Sequence, residues 1–451
     1  MPYAPHHLRA ALFALGCRLN QAELGHLAEQ LRGAGFVIVP WGEPADLLIF
    51  NSCTVTAAAA RKTRNLVHRA RREHPNAFLV LTGCDATLAT NAWAEDGVAD
   101  LVVPNPDKHH WLDRLPDRLR LLPRAPTPRA QPTTHNYQPA TPPSSDFTLP
   151  DFSLPLGKTR ANLKIQEGCS CGCAYCIIPQ TRGGPRSREF ADALREVREL
   201  IEHGVKEIIL TGINLGLYES GGRRLPEFLD ALTDIPGEFR VRLSSLEPGP
   251  WLPAAVERLA RRPDRFCPHL HLPIQYAEDR ILAAMRRTYT FAEFATAVTD
   301  AVRRVPGLSL GTDVIAGFPG ETDEIFAACL ANLGTLPLAY LHAFHFSARD
   351  GTVAASMPAH PPSNVVKPRV AALEALSRIC SDRYVTSLIG QTVTVLTEAP
   401  LPGGGWRGTS EQFLEVHVPD APAATGHNQF LRARITAPAD LRRALAAAGR
   451  V

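Results

Sequence analysis

The feature that most restricts what this chain can fold into is an alternation of apolar strands with helical stripes, interrupted once by a run of prolines. Apolar runs at residues 10–15, 36–39, 46–50 and 78–81 alternate with a helical pattern at 20–32, where Leu24, Leu27 and Leu31 share one stripe before Gly33 and Gly35, and a second at about 55–73. This pattern predicts an open α/β sheet domain over residues 8–115. Ten or so prolines then fall among Thr, Ser and Arg in residues 116–156, a density that supports neither helix nor central strand and reads as an extended linker. A longer series follows over 157–386, with strands at 161–166, 207–210, 240–245, 269–272, 309–315 and 340–346. Six βα units predict a partial (β/α)6 barrel, with chemistry at the C-terminal ends of its strands. Short β-type runs at 392–397, 413–418 and 430–435 predict a small β-barrel over residues 387–451. The expected class is α/β, in three parts.

Composition sets outer limits. Lys and Arg outnumber Asp and Glu by only 48 to 45, so any nucleic-acid surface has to be local. No run of about 18 apolar residues occurs, which argues against a membrane partner. The apolar run at 10–15 is short and leads directly into Gly16-Cys17, so it reads as a strand and not as an export signal. Ten cysteines without such a signal point to a reducing, cytoplasmic setting, where clustered thiols bind metal or react.

Those thiols fall into two sets. Cys169-Ser-Cys-Gly-Cys173-Ala-Tyr-Cys176 follows the first barrel strand, which places its thiolates at the barrel mouth. Soft thiolates suit an iron–sulfur cluster or zinc, and three cysteines on a cubane leave one iron open to a small molecule. Cys171 leaves other ligand combinations open, and a zinc knuckle uses similar spacings. The second set, Cys17, Cys53 and Cys84, is dispersed, but each member lies just beyond an apolar strand, where an open α/β sheet gathers its ligands. Three isolated core cysteines would read the same way singly. Cys267, Cys329 and Cys380 have no partner spacing.

The run Lys164-Ile-Gln-Glu-Gly-Cys169 through Tyr175-Cys176-Ile-Ile-Pro179 and Thr181-Arg-Gly resembles the methylthiotransferases of the radical S-adenosylmethionine (SAM) superfamily. So do Leu15-Gly-Cys-Arg-Leu-Asn-Gln21, Asn51-Ser-Cys-Thr-Val-Thr56, Thr82-Gly-Cys84, Arg242-Leu-Ser-Ser-Leu-Glu-Pro248 and Thr312-Asp-Val-Ile-Ala-Gly-Phe-Pro-Gly-Glu321. The resemblance implies an N-terminal methylthiotransferase domain, a radical-SAM core and a C-terminal TRAM-like barrel. It implies two [4Fe–4S] clusters, one on Cys169, Cys173 and Cys176 whose open iron chelates SAM, and an auxiliary one on Cys17, Cys53 and Cys84. Thr211, Gly212 and Asn214, together with Gly317 and Gly320, match SAM-contacting strand ends; by themselves they are turns that need pliable backbone. Gln275 also matches, whereas Tyr276-Ala-Glu278 departs from the family's small-residue pattern.

The family's substrates are tRNA adenosines beside the anticodon or an aspartate of a ribosomal protein. Thr54-Val-Thr56 resembles the branch acting on N6-threonylcarbamoyladenosine, and the resemblance implies tRNA, an electron donor such as flavodoxin or ferredoxin, and a sulfur source as partners. Arg61 and Arg64, on one helical face with His68 and Arg72, are candidates for phosphate contacts. Arg182, Arg186 and Arg188, just after the Cys169–Cys176 motif, are candidates for pairing a substrate carboxylate or phosphate. A zinc-stabilised, non-enzymatic RNA-binding protein is the alternative from another class.

Overall fold

The computed structural model describes residues 8–108, 111–119, 147–149 and 159–436. In the first unit β1 (Arg9–Ala14), β2 (Val37–Val39), β3 (Leu47–Ser52), β4 (Phe78–Gly83) and β5 (Leu101–Val103) form one parallel sheet in the order β2-β1-β3-β4-β5. This is a doubly wound order whose direction reverses between β1 and β3, and the crevice beyond that reversal collects ligands. Alternation along β3 feeds both faces. Leu47 and Ile49 pack with Leu27 and Leu31 of the helix Arg18–Gly33, while Leu48 and Phe50 pack with Val67 and Ala70 of the helix Ala57–Glu73. Thr56 caps that second helix by accepting from the Ala59 N–H at 3.1 Å. The strand β5 and the short helices Cys84–Leu88 and Thr90–Asp96 were not evident from periodicity, being only three, five and seven residues long.

Most of the expected linker lies outside the described residues. Of its described parts, Asp117–Leu119 forms a 3-10 turn whose Leu119 joins Leu115 and Trp111 in the core of the first unit. Leu149 is buried against the barrel, where its N–H donates to Asp192 at 3.0 Å. Residues 116–119 therefore belong to the first unit and not to an extended spacer, because Leu115 and Leu119 have apolar surface to bury.

Six parallel strands follow: β6 (Arg160–Lys164), β7 (Glu207–Thr211), β8 (Arg240–Leu243), β9 (His269–His271), β10 (Ser309–Ala316) and β11 (Tyr340–His345). They pair as β6-β7-β8 and β9-β10-β11, joined by single bridges Val241↔Phe266 and Ser245↔His271. Among the described residues no ladder closes β6 onto β11, and the helix Arg18–Gly33 of the first unit packs beside β6. The strands alternate strictly. Leu163, Ile208, Leu210, Val241, Leu243 and Leu270 enter the large apolar core, while Lys164, Glu207, Arg242, His271, Asp313 and His342 take the intervening positions on the other face. The polar interior explains why these strands do not read as uniform apolar runs.

The helix Ser363–Leu388, with Pro368 inside it, packs on β11. It was not assigned from sequence. After it, β12 (Thr392–Pro400), β13 (Trp406–Ser410), β14 (Glu415–Val418) and β15 (Phe430–Arg434) form an antiparallel sheet in the order β14-β13-β12-β15. Where a small barrel is expected, the described residues give this four-stranded sheet, and residues 437–451 lie outside them. The sheet is pinned to the barrel by Arg240, which donates to the Thr394 and Thr409 carbonyls at 2.8 Å, and by Arg242, which donates to Glu411 O at 2.8 Å. Both guanidiniums share the buried carboxylate of Glu207.

Candidate active site

Cys17, Cys53 and Cys84 each stand just past a strand of the first sheet: Cys17, three residues beyond β1, is the N-cap of the helix Arg18–Gly33, Cys53 directly follows β3, and Cys84 opens a short helix directly after β4. The crossing at β1 and β3 is tight. Gly16 has φ +98°, and a Cβ there would meet Cys53 Sγ at 2.6 Å, so only glycine lets the two cysteine-bearing turns approach. Burial pushes the Cys53 thiol up to about 12, reinforced by Cys17 and Cys84. Cys17 keeps solvent contact by area, yet protein crowds it at longer range. That desolvation raises its thiol, with the Arg182 guanidinium opposing it. Asn105 Nδ2 lies 3.8 Å from Cys84 Sγ and also donates to the Thr181 carbonyl at 2.8 Å, tying this set to the barrel.

The junction beneath the set is a buried charge cluster. Glu23 accepts from Lys108 Nζ at 2.7 Å, Lys164 Nζ at 3.1 Å and Arg182 at 2.7 and 3.2 Å. Lys164 also pairs with Glu167, and Arg182 donates to Asn20 Oδ1 at 2.6 Å. Burial works to raise the Glu23 carboxyl, but Arg182, Lys108 and Lys164 outweigh it and hold it well below the usual carboxylate range. Burial lowers both lysines to about 8 in spite of Glu23.

Cys169, Cys173 and Cys176 occupy the loop past β6. The turn into it requires Gly168, at φ +71°, where a Cβ would meet the Gly184 carbonyl at 1.8 Å. Arg287, paired to Glu247, donates to Cys173 Sγ at 3.3 Å and to the Pro273 carbonyl at 3.1 Å. Burial pushes Cys176 up to about 12. Cys171 shares a hydrogen bond with Cys169 that lowers Cys171 and raises Cys169, and it accepts from Asn214 Nδ2 at 3.6 Å. The five-residue helix Ile178–Arg182 starts two residues past Cys176 and ends at the arginine beside Cys17 and Cys84, so it runs from one cysteine set to the other.

Four thiolates on one zinc at ~2.3 Å stand about 3.8 Å apart. Among the described residues the three-donor group that closes to within 4.8 Å is His271, Asp313 and His342, not either cysteine set. At least one thiol pair in each cysteine set therefore lies beyond 4.8 Å, and three soft thiolates are the donors that a [4Fe–4S] cluster takes. That donor set fits a [4Fe–4S] cluster at each place.

Comparison with known proteins agrees. The profile of the radical SAM superfamily matches residues 163–331, and that of uncharacterized protein family UPF0004 matches residues 9–104. The chain is 34% identical over 403 residues to the threonylcarbamoyladenosine tRNA methylthiotransferase MtaB of Thermotoga maritima, covering 89% of each chain. It belongs to the radical-SAM methylthiotransferases. The corresponding Bacillus subtilis protein is also 34% identical, over 86% of this chain and 84% of its own length. A tRNA-2-methylthio-N(6)-dimethylallyladenosine synthase of Cereibacter sphaeroides is 33% identical over 94% of each. Among solved structures, the radical SAM methyltransferase TsrM of Kitasatospora setae, with cobalamin and a [4Fe–4S] cluster bound, has a TM-score of 0.56 at 16% identity, over 77% of this chain and 74% of that one. This last likeness concerns the fold alone. SAM and [4Fe–4S] clusters are the cofactors of this methylthiotransferase, and no helix among its described residues is long and apolar enough to cross a membrane.

The remaining expected site residues meet different fates. Thr211, Gly212 and Asn214 end β7 beside the cysteine loop, and Gln166 Oε1 accepts from the Ile213 and Asn214 N–H groups at 3.0 and 2.9 Å. Gly212 is held close, since a Cβ there would meet Leu215 Cδ2 at 2.9 Å. The Gly317 N–H goes to Glu321, and the space a side chain would need is filled by Val366 at 2.6 Å. The Gly320 N–H donates to the Ala359 carbonyl at 3.0 Å. Packing thus accounts for Gly317, whereas at Gly320 a side chain would meet open space and the positive φ of +86° is what favours glycine. Arg61 and Arg64 are exposed on the helix Ala57–Glu73. Arg64 lies over the Trp93 ring at 5.2 Å and 3.9 Å from Asp96.

Three expectations need correcting. Arg188 is fully buried between Asp192, at 2.6 Å, and Glu196. Arg182 is buried on Glu23, and Arg186 is paired to Glu167. These arginines are committed to internal carboxylates, leaving no bidentate fork for a substrate. Sequence reasoning missed Glu23, Lys108, Arg287 and Glu247, as well as the interior group in which Asp313 Oδ1 meets His271 Nε2 at 3.0 Å and His342 Nδ1 at 3.2 Å. Glu247 and Asp313 lay inside quoted motifs and were the two with a usable signal.

Proposed function

We propose that this protein is a tRNA methylthiotransferase that places a methylthio group at C2 of N6-threonylcarbamoyladenosine beside the anticodon. The observation that carries the reading is the pair of three-cysteine sets joined by the helix Ile178–Arg182. Cys169, Cys173 and Cys176 would hold the cluster that takes SAM, and Cys17, Cys53 and Cys84 the auxiliary cluster. When bound, these groups supply the reductive cleavage of SAM and the sulfur, chemistry that an aromatic C–H without useful acidity demands.

The chain's own residues supply geometry. The N-terminus of the helix Arg18–Gly33 and the guanidinium of Arg182 favour negative charge at the auxiliary set. Arg287 holds Cys173 with a charge-assisted donor. Gln166 fixes the Thr211–Asn214 turn against the cysteine loop, where SAM would sit. Arg61 and Lys62, exposed and without an ion-pair partner among the described residues, offer a face for RNA phosphates. An electron donor such as flavodoxin or ferredoxin, a sulfur source and a cytoplasmic setting complete the proposal.

The Thr54-Val-Thr56 sequence after Cys53 supports the threonylcarbamoyl substrate over the dimethylallyl one. Mass spectrometry of tRNA nucleosides from a strain lacking the gene tests this: the threonylcarbamoyl nucleoside should persist without its methylthio group. Unchanged methylthiolation there, with a ribosomal protein lighter by a methylthio group, would move the activity to protein.

A further inference from the structure

The segment from Ser347 to Thr352, like the helix Ile178–Arg182, touches both cysteine neighbourhoods. Ser347 Oγ accepts from the Ala57 N–H at 2.9 Å, at the start of the helix that follows Cys53. The Gly351 carbonyl accepts from Gln180 at 2.8 Å, and just beyond, the Ala354 N–H donates to the Ala174 carbonyl at 2.7 Å inside the Cys169–Cys176 loop. Arg349 sits between these anchor points, and its Nη2 donates to Thr54 Oγ1 at 2.7 Å.

Arg349 differs from the arginines around it. Arg182, Arg186, Arg188 and Arg287 are each paired with a carboxylate. Arg349 has no ion-pair partner among the described residues; its Nε is buried without a hydrogen-bond acceptor, as are Arg182 Nε and Arg188 Nη2, so the missing carboxylate is what sets it apart. An unmet charged donor in such a place is costly unless a ligand completes it. Asp85, a carboxylate that feels the Arg349 charge, is occupied by Trp93 Nε1 at 2.8 Å and by the Thr54 hydroxyl, so Thr54 stands between that carboxylate and the guanidinium. Arg64 is the other charge facing Asp85. The guanidinium is thus oriented by one hydrogen bond and keeps a planar fork of donors in hand, the form that takes a carboxylate through two parallel bonds.

We propose that Arg349 is the substrate-binding residue that receives the carboxylate of the threonylcarbamoyl group, with Thr54 holding its guanidinium in place. The inference rests on the function proposed above and adds a discriminator. An N6-dimethylallyl group has no anion to offer, whereas the threonylcarbamoyl group ends in one. A backbone phosphate has the same charge chemistry, and the experiment separates the two.

The test uses the anaerobically reconstituted enzyme and two anticodon stem-loops that differ only at N6: the threonylcarbamoyl acid and its methyl ester. Binding is measured by filter retention, methylthiolation by mass spectrometry, and iron content confirms that each variant is loaded. The wild type should bind the acid at least tenfold tighter than the ester. Arg349→Gln should bring that ratio to about one, with Arg349→Lys in between and iron content unchanged. A wild-type ratio near one overturns the proposal without any variant. So does Arg349→Gln that weakens acid and ester equally, which would mark a phosphate contact. No methylthiolation of the acid stem-loop by the loaded wild type would instead refute the proposed function, and this proposal with it.

Discussion

Glu23→Gln should be among the most damaging substitutions of a non-cysteine residue in this enzyme. The carboxylate lies at the junction of the first unit and the barrel, receiving Lys108, Lys164 and Arg182 at 2.7 to 3.2 Å. Without it Glu167 remains as the nearby carboxylate, itself shared with Lys164, Arg182 and Arg186. Removing one partner from a buried charge set costs about 3–5 kcal/mol, since the others stay desolvated. The loss should depend on pH in a definite sense. Burial has already lowered Lys108 and Lys164 to about 8, and loss of Glu23 lowers them further. At pH 6.5 the variant must keep Lys108 charged without a carboxylate and Lys164 with only its share of Glu167, or strip their protons, while the wild type does neither. Above pH 9 they are neutral in both folded proteins, and the unfolded lysines contribute equally, so that part of the penalty vanishes. Guanidinium unfolding of the reconstituted protein, followed by the fluorescence of buried Trp93 and Trp111 in the first unit, gives the difference at each pH. A loss below about 1 kcal/mol at pH 6.5, or one that grows as pH rises, would refute the reasoning. Adding Lys108→Met to Glu23→Gln should recover part of the loss, because an apolar side chain of similar length needs no counter-charge.

Alanine at Cys17, Cys53 or Cys84 should remove the iron of one cluster and abolish methylthiolation while SAM cleavage continues, whereas alanine at Cys169, Cys173 or Cys176 should abolish both. Iron analysis with a 5′-deoxyadenosine assay distinguishes the sets, and an unchanged iron content in either would contradict the assignment. Replacing Arg61, Lys62 and Arg72 by Glu should weaken tRNA binding at low salt and reduce the slope of log affinity against log salt by about 1 per lost phosphate contact; an unaltered slope would make this face ordinary solvated surface. Burial raises the Glu207 carboxyl, but Arg242 and Arg240 outweigh it and hold it below its usual 4.5. Its contribution to docking the C-terminal sheet is therefore complete above pH 4.5 and lost only as pH falls through the lowered value. Hydrogen exchange in residues 392–434 should show no loosening at pH 4.5, and release at or above that pH would contradict the pairing.

The positions of the cysteines past their strands were readable in the sequence because the pattern that marks them is local. Each of Cys17, Cys53 and Cys84 is marked by the strand before it, and Cys169, Cys173 and Cys176 by their mutual spacing. The open α/β character of the first unit and the six parallel strands were readable for the same reason, as period-two and helical patterns lie within single segments, whereas the doubly wound order came from the structure. The sheet strand Trp406–Ser410 was hidden because its polar residues and Gly408 pack against a neighbouring backbone and carry no alternation of their own; a Cβ at Gly408 would lie 2.1 Å from the Leu396 carbonyl. The arginines after Cys176 were misread for a related reason. Their positive charge is visible in sequence, but the carboxylates that neutralise Arg182 and Arg186 lie in other segments.

Sequence alone determined which residues could carry the chemistry and on which strand ends they sit. What the tertiary structure decided was pairing. Glu23 and Lys108 are 85 residues apart, Glu23 and Arg182 are 159 apart, and Thr54 and Arg349 are 295 apart. No periodicity links such positions, and a charge reads alike whether it is satisfied or not. Packing the first unit onto the barrel spends Arg182 on Glu23 and leaves Arg349 with donors to spare.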